Sequence, residues 1–387
     1  MIVARSPGVT VDDPTPPISD LARSPLCGGW AFSLSMSLNR QTLSAPSVGG
    51  GGSTGPYVTI YDNASVTPQA ALWTIVDGRV TQVGLDVRAT TGTTSITTGQ
   101  GVTFDGDFDL SPIGATLATF SSTNCTYGDF VPGTLANLSS LYFESCTFTT
   151  FNISGIQNQC GLSLVGCTIP SLTLTPAAIY NVVIQFGTYG DFVFTGCTDL
   201  NSITITSDVP PTFSTLTCGD VTINGSTTLT SLTIGGRQGF YGDVAVTNCT
   251  ALTSVLFDSG STYPDVPDFD SLNFSGCTSL SSIATSSGEL KTPSLNITGC
   301  SALATISLPS DTLVTVTVST LPSATTVGLQ GCALNVASVN AILVALDSNG
   351  LSNGEVYLDL GTSAAPTGAG IIAKNNLIAK GWTVATN

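Results

Sequence analysis

The chain has 387 residues; only 9% are charged, with 25 acidic side chains against 9 basic ones and no histidine. Without histidine there is no Ser-His-Asp triad, no Cys-His dyad and no histidine-ligated zinc or haem. A formal net charge of −16 argues against a nucleic-acid partner, because phosphate contacts need Lys and Arg.

Residues 1–55 read as an extended arm closing on a Gly-rich linker, VGGGGSTGP at 48–56. Arg5 is followed by Pro and Asp, not by an apolar run. No export signal is therefore expected, and synthesis in a cytosol is. No apolar stretch is long enough to span a bilayer, so membrane insertion is not expected. Residues 56–114 alternate apolar and polar side chains (YVTIYDNASV, ALWTIVDGRVTQVGLDV) and predict a small β region. Its expected job, together with the arm, is docking onto a multi-subunit assembly. At its end Asp105, Asp107 and Asp109 form an Asp-Gly-Asp-Phe-Asp run. Alternating carboxylates can bind Ca²⁺, but the rest of an EF-hand loop is missing, and a solvated strand edge explains them more simply. No other metal site and no cofactor are expected.

From residue 115 to 334 the chain repeats. Segments such as VAVTNCTALTSVLF (244–257), LNFSGCTSLSSIA (272–284) and LNITGCSALATISL (295–308) share two alternating apolar residues, a Gly or Asn, a Cys and a later Leu. The marked positions are Cys125, Cys146, Cys167, Cys197, Ser226, Cys249, Cys277, Cys300 and Cys332, spaced 21 to 32 residues apart. The alternating pair predicts a short strand with one face inward, and the Gly/Asn-Cys marks the bend into a coil. A thiol tolerates burial and donates weakly, so the file is expected to bond the backbone of neighbouring coils as a structural ladder. Ser226 fits the same slot, which argues against a metal or disulfide scheme. Cys27, Cys160 and Cys218 lie outside this file. The acidity belongs to this stretch. Residues 101–334 carry 16 acids against Arg237 and Lys291.

The runs FSGCTSLSSI (274–283) and ITGCSALATISLP (297–309) resemble the BspA-like leucine-rich repeats of bacterial surface and phage-encoded proteins. The resemblance implies a stacked architecture in which each coil buries its face only against the next. The expected fold class is mainly β: a leucine-rich-repeat-like solenoid with a β-rich N-terminal docking region and a small α/β C-terminal cap.

That cap is expected over 335–387. NVASVNAILVALDSNG (335–350) places Val339, Ile342, Leu343 and Leu346 at helical spacing, with Gly350 to end the helix. EVYLDL (355–360) alternates as a strand, 366–381 reads as a second helix, and WTVAT (382–386) closes as a strand. This segment resembles a terminal portion of tailed-bacteriophage structural proteins (fibre or decoration).

No catalytic residue is singled out. The three glutamates, Glu144, Glu289 and Glu355, are not paired by sequence, so the two carboxylates of a glycosidase are not in evidence. Asp265, Asp268 and Asp270 form an acidic cluster. Phe240, Tyr241 and Tyr263 sit in the longer coils and are candidates for surface recognition. These readings converge on a non-enzymatic virion protein, assembled in a host cytoplasm as a homo-oligomer. Its N-terminal region would dock on other virion proteins and its coils would contact a host surface glycan or protein. A bacterial cell-surface adhesin and a phage polysaccharide depolymerase are the alternatives.

Overall fold

Runs such as Ser-Leu-Thr-Ile and Ser-Val-Leu-Phe are β-branched or apolar at every second position, so they favour strands with one dry and one wet face. The computed structural model describes strand segments between residues 57 and 107, Leu110, and residues 114–387 apart from 175–177, 208–214, 237–238, 259–265 and 287. The chain divides into two units, Met1–Gly50 and Gly51–Asn387, and all described residues belong to the second. The expected arm at 1–55 lies outside the described residues. Among the described residues there are 26 strands and two helices, so the protein is mainly β.

The strands belong to two ladders of almost entirely parallel pairing, and each coil contributes one strand to each. In the first ladder Ile96, Phe120, Leu141, Leu162, Val182, Ile203 and Leu232 stand in register. The same file continues through Val255, Ile283, Ile306, Val327, Val356 and Val384. All but the last are buried. The second ladder runs through Thr103–Asp107, Thr126–Phe130 and Thr147–Phe151 to the later halves of Cys160–Leu174 and Ile179–Thr195. It then passes through Leu216–Cys218, Val221–Asn224, Gly239–Thr247, Asp268–Asn273, Ser294–Asn296 and Thr315–Thr317. The shared register stacks similar side chains. Tyr127 lies flat between Phe104 and Phe148, at ring separations of 4.5 and 5.0 Å. Tyr241 stacks on Phe269 at 4.7 Å. Each coil's apolar face is thus covered by its neighbours, which is how a chain of short strands acquires a core.

The pairing crosses both expected internal boundaries. Thr93–Gly99 is antiparallel to Tyr57–Asp62, yet parallel to Thr119–Thr123 of the first ladder. The ladders therefore begin before residue 115. At the other end, helix α1 (Val336–Ser348) packs on Thr315–Thr317, and helix α2 (Ala369–Ala379) packs on α1. Meanwhile Glu355–Leu358 and Thr383–Thr386 extend the first ladder. The last two coils keep their first-ladder strand and exchange the second-ladder strand for a helix. Asn335 caps α1 by accepting the Ser338 N–H at 2.9 Å. Lys380 holds α2 to α1 by an ion pair to Asp347 at 2.7 Å. No helix among the described residues is long and apolar enough to cross a membrane.

Candidate functional site

Many polar side chains of the coils bond the backbone of a neighbouring coil. The residue before each marked Cys or Ser adopts a left-handed conformation: Asn124, Ser145, Gly166, Gly196, Gly225, Asn248, Gly276, Gly299 and Gly331. Gly and Asn pay least for that conformation, which is why they precede the rungs. The turn drives the next side chain inward. Cys146, Cys277 and Cys300 donate to the carbonyls of Ser122, Val246 and Phe274, at 3.6, 3.2 and 3.0 Å. Ser226 Oγ donates to Cys197 O at 3.4 Å and accepts the Leu229 N–H. Ser363 repeats this one coil after Cys332, donating to its carbonyl at 2.9 Å and accepting the Leu334 N–H.

The rungs do not form one file. Cys125, Cys146 and Cys167 lie where the chain leaves the first ladder for the second, and Cys167 pairs in register with Gly187. Cys197, Ser226, Cys249, Cys277 and Cys300 lie at the opposite corner, where the chain returns to the first ladder, and Cys332 is back at the first corner, following the first-ladder strand Thr326–Gly328. The single ladder expected from the sequence is thus corrected to two. Both corners need a tight left-handed bend followed by a small buried group, so the same short motif serves both. Between Cys167 and Cys332 tyrosine hydroxyls serve the first corner: Tyr189 donates to Phe186 O at 3.0 Å, and Tyr241 donates to Gly235 O.

All ten described cysteines are free and buried. Burial pushes the Cys160 thiol up to about 12, and those of Cys197 and Cys300 up to about 11. These are protonated thiols at neutral pH, without the thiolate character of reactive cysteines. Cys160 and Cys218 join the core. Cys27 lies outside the described residues. Among the described residues no group of three or more potential ligands is placed to hold a metal ion. Of the calcium candidates, Asp105 and Asp107 fall on the strand Thr103–Asp107, with their side chains outside the described residues, as is Asp109.

A second motif, Tyr-Gly-Asp, shapes the outer face of the second ladder. It is written TYGDF at 126–130 and 188–192, TCGDV at 217–221 and FYGDV at 240–244. The carboxylate of Asp191 accepts the Asp220 N–H at 3.1 Å, and that of Asp220 accepts the Asp243 N–H at 2.9 Å. A Cβ on Gly219 or Gly242 would collide with the carboxylate of the preceding coil, so the glycine is required by this close approach.

Beside this file an open groove of about 450 Å³ is lined by Cys218, Gly219, Asp220, Phe240, Tyr241, Gly242, Asp268 and Asp270. Phe240 is 56% exposed and pairs in register with Thr217 on one side and Asp268 on the other. Asp270, Asp220 and the half-buried Asp268 form its rim. Of the two recognition candidates among the described residues, Phe240 faces outward. Tyr241 is 4% exposed and belongs to the core, a correction that follows from strand alternation: two adjacent residues cannot share a face. Tyr263 and Asp265 lie outside the described residues. Glu144 points outward on Ser140–Glu144 of the first ladder, where it accepts the Tyr142 hydroxyl at 3.1 Å, and does not line the groove on the second. Comparison with protein-family models, curated proteins and solved structures finds no match to this chain.

Proposed function

We propose that this chain is a non-enzymatic structural protein of a bacteriophage particle, a fibre, decoration or adhesion subunit. Its parallel coils are read as a leucine-rich-repeat-like solenoid that displays a long acidic surface. Its N-terminal region docks on other virion proteins. One observation carries the recognition half of this reading. Phe240 stands out of an open groove with three carboxylates around it. Large exposed aromatics in a concave setting mark contact surfaces. Mass spectrometry of purified particles tests the assignment: the chain is expected among the virion proteins, and its absence overturns the reading.

The same groove favours a second reading. It brings Asp220 beside Asp268 and Asp270, neighbours in the sequence, and a glycan-cleaving enzyme needs two carboxyl groups flanking the bond. Release of soluble oligosaccharide from host capsule by the purified chain would establish that activity.

A further inference from the structure

We infer that the Phe240 groove binds an arginine side chain presented by a segment of a partner protein. The inference rests on the reading of this groove as the recognition surface. Its basis is an inventory of donors and acceptors. The N–H groups of Gly219 and Gly242 go to carbonyls of preceding coils, and that of Asp220 goes to Asp191. The N–H of Phe269 goes to Lys291 O, and the Tyr241 hydroxyl goes to Gly235 O. What remains toward the groove is the carboxylates of Asp268 and Asp270, the other oxygen of Asp220, whose Oδ1 accepts the Asp243 N–H, and the face of Phe240.

Such a groove accepts hydrogen bonds and donates almost none. A neutral sugar brings hydroxyls that both donate and accept, so half of its capacity goes unmet here. A guanidinium has five donors and no acceptor, and its plane stacks on an aromatic ring. The cation is also favoured by the ring's quadrupole. Charge complementarity points the same way. Among the described residues none of the three rim carboxylates has an ion-pair partner. Lys291 follows Asp268 one coil further on and is not part of the lining. An ammonium fits less well, because it is compact and strongly hydrated and cannot stack.

The test is a titration of the full chain with short acetylated, amidated peptides carrying two arginines, two lysines or two citrullines. Citrulline keeps the shape and removes the charge. Arginine is expected to bind tightest, lysine weaker, and citrulline not measurably. Phe240→Ala and the pair Asp268→Asn/Asp270→Asn should each weaken arginine binding by about tenfold. Asp199→Asn/Asp311→Asn, which removes the same charge elsewhere, should leave it unchanged. Equal loss in that control pair overturns the inference, since it would mean attraction to the net charge alone. Binding of a chitosan oligomer that depends on Phe240, with no arginine binding, overturns it in favour of an amino-sugar ligand. Either failure leaves the presence of the chain in particles untouched, so the two readings fall separately.

Discussion

Substituting Cys300 by Ser, Ala and Val separates a slot that needs a small polar group from one that needs only apolar bulk. Cys300 is fully buried, and its thiol donates to Phe274 O at 3.0 Å. Alanine removes that bond, worth about 0.5–1 kcal/mol, and leaves a void of roughly one sulfur, worth about another 0.5–1 kcal/mol. The expected loss is about 1–2 kcal/mol. Valine removes the donor and adds a branched methyl to a slot with no spare room. Overpacking costs about 1–3 kcal/mol, so the expected loss is about 2–4 kcal/mol. Serine keeps the donor, as Ser226 does in the same file. Its loss should stay below about 1 kcal/mol. Urea unfolding followed by far-ultraviolet circular dichroism reads the order, with Ser retaining most stability, then Ala, then Val. Valine matching or exceeding serine would refute the hydrogen-bonding role of the rungs.

Further outcomes follow from the same geometry. In a Cys27→Ser chain, iodoacetamide should modify none of the ten remaining thiols at neutral pH until denaturant is added; mass spectrometry reads the count. Alkaline pH should destabilise the fold. The Cys160, Cys197 and Cys300 thiols are raised from 9.0 to about 12, 11 and 11, so the native chain holds protons that the unfolded chain releases. Their contribution is fully present below pH 9 and declines as pH rises from there toward 11–12, visible as a falling urea midpoint. Gly190→Ala should cost at least about 3 kcal/mol, because its Cβ would collide with the Pro170 carbonyl, a backbone atom that cannot swing away. Gly196→Ala meets no neighbour and should cost about 1 kcal/mol, from its left-handed conformation alone. Equal losses at the two sites would contradict the close packing of successive coils.

Much of this was legible in residue order. Alternating pairs such as Leu295 and Ile297 did mark inward positions, and the helical spacing of Val339, Ile342, Leu343 and Leu346 did mark the buried face of α1. What the cysteine motif could not reveal was which corner it occupied, because both corners impose the same steric demand. The long steps from Cys167 to Cys197 and from Cys300 to Cys332, 30 and 32 residues, were the available signal, since they are where the file changes corner. Ser363 went unseen because Gly361-Thr362-Ser363 lacks the Gly immediately before the rung. The Tyr-Gly-Asp motif was written out twice as TYGDF, but its spacing varies with coil length and it was masked by the more regular cysteines. The groove itself was out of reach. Asp220, Phe240 and Asp268 are 20 and 28 residues apart in the chain and meet only through the register of three coils.

The central claim is that the chain works by contact through the Phe240 groove. The most direct measurement is retention of the labelled chain on host cells, with wild type and Phe240→Ala compared at equal concentration. The account predicts saturable retention of wild type and loss of most of it in the variant. Equal retention of the two would contradict it.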